Sequence, residues 1–95
     1  MGARNLDKGT AAIEQIVKEN AQAESKIELI KVDVTDQTSV TDAAAEVKDR
    51  LGSKKLYGLI NNAGCIIKPD CPKDQMINTN FYGPKLMSDA FVPLI

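Results

Sequence analysis

Helical and extended hydrophobic patterns alternate along this chain. Residues 7 to 22 place Ala12, Ile13, Ile16 and Val17 at i, i+3, i+4 spacing, which predicts an amphipathic helix. Asp7 is expected to cap its start, and Glu14 and Lys18 form a favourably oriented i, i+4 pair. IELIKVDV at 27–34 is short and rich in β-branched residues, so it predicts a strand. Thr35 or Asp36 can cap a second helix, whose Val40, Ala43, Ala44, Val47 and Leu51 share one face before Gly52 ends it. LYGLI at 56–60 predicts another strand, which runs into the turn-forming cluster NNAG. Pro69 and Pro72 mark residues 65 to 73 as a loop. A last helix is expected from near Asp74 towards the C-terminus, with Ile77, Phe81, Pro84, Met87, Phe91 and Leu94 as its apolar stripe.

Strands that alternate with helices predict βαβ units and a parallel sheet, so the fold class is α/β. Right-handed crossovers bring the C-terminal ends of such strands to one edge, where ligands of these folds bind. Asp33 and the run Asn61 to Gly64 both fall at strand exits.

Composition narrows the function classes. The 95 residues are 43% hydrophobic and 26% charged, as in ordinary globular domains. Twelve basic residues against 13 acidic ones give a net charge of -1, with no long run of one sign. Neither a nucleic-acid surface nor a membrane surface is therefore expected. No stretch approaches a membrane span, and MGARNLDKGT has no apolar signal core, so a cytosolic location is expected. Cys65 and Cys71 are not spaced as CxxC and the chain has no histidine, so no metal site is expected. Both are expected to be reduced thiols.

Four segments carry a more specific signal: GARN at 2–5, DVTD at 33–36, NNAG at 61–64 and TNFYG at 79–83. In series, and over essentially the whole chain, they resemble the short-chain dehydrogenase/reductases. The pattern Arg4-Asn5-Leu6-Asp7-Lys8-Gly9 and the ending FVPLI are most similar to monomeric carbonyl reductases and salutaridine-reductase-like enzymes. The resemblance implies a fragment of a Rossmann-type doubly wound parallel sheet, from the end of its second strand to its fourth helix. Residues 1–95 would then be a partial NAD(P)-binding domain. The implied activity is hydride transfer between NADP(H) and a small carbonyl substrate.

The resemblance also assigns roles. The segment after the second strand holds Arg4 where NAD-selective folds hold an acid, and Arg4 offers a planar fork to the 2′-phosphate of NADP. Lys8 adds a second cation one turn into the helix. The plainer alternative for both is a solvated surface charge. Asp33 is implied to face the adenine amino group, with the Val34 amide at the ring nitrogen; a loop carboxylate or helix cap is the alternative. Asn61, Asn62, Ala63 and Gly64 would form a small-residue wall for the cofactor, with Asn62 as its direct contact; a simple turn is the alternative.

Asn80 lies within the apolar stripe of the last helix, and a buried amide without partners costs roughly 1–3 kcal/mol. It matches the family's relay asparagine, whose main-chain carbonyl holds a water on the proton path. Pro84 supplies a physical route, because it has no N–H to donate to the carbonyl of residue 80.

The family's TGxxxGxG turn and YxxxK pair do not occur in these residues, and neither Tyr57 nor Tyr82 is followed by lysine four positions on. In the 3-2-1-4-5-6 strand order the two predicted strands are not neighbours. Open edges and self-association are therefore expected of this piece. Three hypotheses stand: a part of an NADP-dependent carbonyl reductase of monomeric type, a catalytically inactive remnant acting by binding or association, and a flavodoxin-like binding module.

Overall fold

The computed structural model describes residues Met1 to Ile95 as two compact units, Met1–Asp33 and Val34–Ile95. The first contains strand β1 (Gly2–Ala3), helix α1 (Leu6–Glu19), a 3₁₀ turn at Ala21–Ala23 and strand β2 (Ile30–Lys31). The strands are parallel, with Gly2 opposite Ile30 and Ala3 opposite Lys31. Two bonds extend the ladder: the Ile30 N–H donates to the Met1 carbonyl at 2.9 Å and the Val32 N–H to the Ala3 carbonyl at 3.0 Å.

The strand expected over 27–34 thus contracts to the part that has a partner. Ile30 and Val32, two apart, are both buried, as one face of a strand should be. Asn5, not Asp7, caps α1, its side-chain oxygen accepting from the Lys8 N–H at 3.0 Å. Of the expected stripe, Ile13 and Val17 are half-buried, whereas Ala12 and Ile16 are exposed. The buried residue of α1 is Gly9, where a Cβ would stand 2.7 Å from Leu29 Cδ1 and 2.9 Å from Ala3 Cβ. Helix and strand meet at a distance that only glycine permits.

The second unit contains α2 (Gln37–Leu51), α3 (Lys73–Ile77), a π-helical turn at Asn78–Tyr82, α4 (Gly83–Phe91) and a 3₁₀ turn at Val92–Leu94. Asp36 caps α2 by accepting from the Ser39 N–H at 3.0 Å, and Gly52 ends it at φ 61°. Helices α2 and α4 pack together, burying Val40 and Ala43 on the first and Gly83 and Phe91 on the second.

Residues 56–60 do not form the expected strand. Leu56 donates its N–H to the Leu94 carbonyl at 2.8 Å, but no ladder follows. Tyr57 and Ile60 are 105% and 90% exposed. A strand needs a neighbour for its N–H and C=O groups, and this unit offers none.

The last helix differs from its expected form as well. Helices α3 and α4 are joined by the π-helical turn, in which the Gly83 N–H reaches the Asn78 carbonyl, five residues back. The wider turn offsets the 3.6-residue stripe on either side of it. Phe81 is accordingly 66% exposed, Ile77 is 40% exposed and Asn80 lies on the surface, while Phe91 stays buried.

The cysteines are not free thiols. Cys65 and Cys71 form a disulfide, with Cα atoms 6.5 Å apart. Sequence spacing excluded a CxxC motif but held no information on whether the intervening chain doubles back. It does so through an isolated bridge: the Cys71 N–H donates to the Lys68 carbonyl at 2.9 Å and the Lys68 N–H to the Cys71 carbonyl at 3.3 Å.

Candidate functional site

The N-terminal unit carries two cations at the start of α1. Arg4 lies just after β1 and Lys8 in the first turn of the helix. Both are exposed, and neither has an ion pair. Asp33, half-buried, ends this unit two residues beyond β2.

The C-terminal unit builds an open cleft of about 530 Å³ from residues that were candidates on sequence grounds. Asn61, Ala63, Gly64 and Asn80 line it, together with Cys65, Ile66, Lys68 and Pro84. Non-local hydrogen bonds hold it. The Asn61 amide donates to Ser88 Oγ on α4 at 3.3 Å. Asn80 makes two bonds to one residue: Oδ1 accepts from the Cys65 N–H at 2.8 Å, and Nδ2 donates to the Cys65 carbonyl at 2.7 Å. A Cβ on Gly64 would stand 3.3 Å from Asn80 Oδ1, so a larger residue there would press on this pairing. Asn62, the expected direct contact, lies in the same exposed run but is not among the residues that line the cleft.

Val34 approaches the π-helical turn through its side chain. A Cβ on Gly83 would be 2.9 Å from Val34 Cγ2 and 3.2 Å from Val34 Cβ. The lack of a side chain at Gly83 therefore leaves the room that Val34 occupies. Pro84 stands in the first turn of α4. Its position deprives the carbonyl of residue 80 of its ordinary i+4 donor, whatever else that carbonyl meets.

Charge plays a small part in this unit. The Asp89 carboxylate accepts a hydrogen bond from Lys85 at 2.6 Å, and its charge adds to the effect, so the exposed ammonium titrates above the usual lysine range. No group of three or more histidine, cysteine or carboxylate side chains is placed to hold a metal. No helix is long and apolar enough to cross a membrane.

Two participants escaped the sequence analysis: the main chain of Cys65 and the hydroxyl of Ser88. Neither carried a local signal, because each acquires its role from a residue 15 or 27 positions away.

Several known proteins resemble this chain. Residues 2–95 match the family described as short chain dehydrogenase. The chain is 37% identical over 95 residues to the short chain dehydrogenase tazN of Aspergillus terreus, which covers 90% of this chain and 20% of that protein. It is 29% identical over 117 residues to (+)-neomenthol dehydrogenase of Arabidopsis thaliana, covering 98% of this chain and 39% of the relative. The chain thus spans a fifth to two-fifths of the length of these relatives. Among solved structures, the NADPH-bound carbonyl reductase from chicken fatty liver superposes with a TM-score of 0.67 at 32% identity, covering 84% of this chain and 34% of that one. A Rossmann-type α/β arrangement with a parallel strand pair, and a family match along nearly every residue, lead to one conclusion: the chain belongs to the short-chain dehydrogenase family.

Proposed function

We propose that this chain is part of an NADPH-dependent reductase that transfers hydride to a ketone, aldehyde or quinone, and that residues 1–95 form part of its NAD(P)-binding Rossmann domain. The observation that carries this is the division of labour at Asn80. Its side chain is committed to Cys65, while Pro84 withholds the usual donor from its main-chain carbonyl. That combination suits a residue that positions the NNAG loop and offers its carbonyl to a relay water.

The residues present fit a dinucleotide. Arg4 and Lys8 are exposed cations without ion pairs, suited to a 2′-phosphate. Asp33 and the Val34 amide suit the adenine. Asn61, Ala63 and Gly64 supply the wall, with Asn62 beside them in the same run as a further candidate contact, and Gly64 faces Asn80 across a gap with little room for a side chain. NADPH, when bound, supplies the hydride. The likeness to an NADPH-bound carbonyl reductase supports this cofactor, and the resemblance to monomeric carbonyl reductases supports a monomeric cytosolic parent acting on small molecules. By itself the 95-residue chain is inactive on this reading, since it offers no YxxxK tyrosine as general acid.

A second reading has its own support. The exposed, unpaired Tyr57 and Ile60 favour a remnant that acts by association. Binding tests separate the two. The chain should bind NADPH and 2′,5′-ADP more tightly than NADH and 5′-AMP, with no detectable NADPH-dependent reduction of menadione. Equal affinity for the phosphorylated and unphosphorylated ligands, or robust turnover, overturns the first proposal. Transcript sequence encoding TGxxxGxG before this segment and YxxxK after it would support the parent enzyme; stop codons on both sides would favour the remnant.

A further inference from the structure

We propose that the Cys65–Cys71 pair is a reversible thiol–disulfide latch on the wall of the cleft. Oxidised, it holds the 65–71 loop closed; reduced, it lets that loop move. The regulated ligand is the nucleotide of the function proposed above, so that part rests on that reading, whereas the latch itself does not.

The loop's position carries the inference. Ile66 and Lys68, both inside it, line the cleft, and Cys65 lines it too. One end is fixed by Asn80, which holds the Cys65 amide and carbonyl. The other end is Cys71, 2% exposed in the unit's interior. The disulfide is the covalent tie between these ends. Without it the loop retains only the Lys68–Cys71 backbone pair and an exposed Lys68–Asp70 ion pair at 3.4 Å. Exposed pairs of that kind contribute little. The apolar side chains between the anchors do not pin the loop either, since Ile66 and Ile67 are 73% and 66% exposed.

The chemistry balances with a low-molecular-weight thiol as reductant. Cys65 is half-buried and is the more accessible residue of the pair. A thiolate attacks Cys65 Sγ; the S–S bond breaks, its electron pair leaves on Cys71 Sγ, and that sulfur takes a proton. A second thiolate attacks the mixed disulfide and releases Cys65 as a thiolate, which is protonated in turn. The protein disulfide gains two electrons and two protons, and two small thiols become one small disulfide. Reoxidation is the reverse exchange with that small disulfide.

The test compares the 95-residue chain oxidised by glutathione disulfide with the same chain reduced by glutathione. Alkylation and mass measurement count thiols, amide hydrogen exchange follows the loop, and NADPH titration follows the cleft. The oxidised chain should take up no alkylating reagent and yield a linked Cys65–Cys71 peptide. On reduction it should take up two reagents. The Lys68 and Cys71 amides, each bonded to the other's carbonyl, should then exchange about tenfold faster, while the Cys65 amide, held by Asn80, changes less. NADPH affinity should differ between the two states. The double variant Cys65→Ser, Cys71→Ser should behave like the reduced chain under both conditions. Two alkylatable thiols in the oxidised chain, unchanged exchange on reduction, or a double variant that still responds to glutathione each overturns the latch. Failure to bind NADPH in either state counts against the proposed function instead, and the latch then stands or falls on exchange and thiol counting.

Discussion

Asn80 grips Cys65 by both of its main-chain polar groups, across 15 residues of sequence. One planar amide satisfies an N–H and a C=O at once, at 2.8 and 2.7 Å. The loop after NNAG is thereby registered on the π-helical turn. Replacing Asn80 with Ala should cost roughly 1 kcal/mol for each hydrogen bond lost, less where water can substitute. Asn80→Asp should be informative in a different way: it keeps an acceptor for the Cys65 N–H but sets a carboxylate against the Cys65 carbonyl. Hydrogen exchange at the Cys65 amide should rise in Asn80→Ala and change least in Asn80→Asp. Unchanged protection in Asn80→Ala would refute the clamp.

Gly9 is a packing requirement in the N-terminal unit. A methyl group there meets Leu29 Cδ1 and Ala3 Cβ below 3.0 Å. Gly9→Ala is expected to destabilise by about 1–3 kcal/mol through overpacking, despite the better helix propensity of alanine. Gly58→Ala is the control, because nothing stands within 4 Å of a Cβ there. Thermal unfolding of the two variants should differ clearly; equal melting temperatures would show that α1 can move away from the strand at little cost.

Arg4 should govern the choice between NADPH and NADH under the proposed function. A hydrogen bond to a charged group is worth about 1.5–3 kcal/mol, so Arg4→Ala should weaken NADPH binding roughly ten- to a hundredfold. NADH affinity should hardly change. Lys8→Ala should act in the same direction and less strongly, because an ammonium is a point charge without the guanidinium fork. Titration of both nucleotides checks this, and an equal loss for the two would assign Arg4 a structural role.

Pro84→Ala restores an N–H opposite the residue-80 carbonyl. The new amide should become protected from exchange as it takes that carbonyl as its acceptor, with stability altered by about 1 kcal/mol or less. Rapid exchange of that new amide would mean that the π-helical turn, rather than proline, sets the geometry of the carbonyl.

Much of the local structure is readable from side-chain chemistry. The caps at Asp36 and Gly52, the buried Val40 and Ala43, and the break before Lys73 follow from propensity and period acting within a few residues. The N-cap of α1 falls on Asn5 rather than the expected Asp7: the two have similar local chemistry, but Asn5 has the extended backbone of a cap while Asp7 already lies in the first helical turn. The cleft is legible in part. Asn61, Ala63, Gly64 and Asn80 do line one depression, whereas Cys65 and Ser88 enter through partners remote in sequence.

By itself, the sequence determined the family, the α/β class, a helix capped at Thr35 or Asp36, and the two polar groups at Asp33 and Asn61 to Gly64 that follow extended segments. These depend on residue identity and short spacing. Tertiary structure alone decided which extended segments became strands. Residues 30–31 found β1 and formed a ladder, while 56–60, equally strand-like in sequence, formed no ladder and left Tyr57 and Ile60 exposed. It also decided that Asn80 faces a loop main chain rather than a core, and that two cysteines six positions apart are joined. Pairing and reach are properties of two segments together, and no period within one segment encodes them.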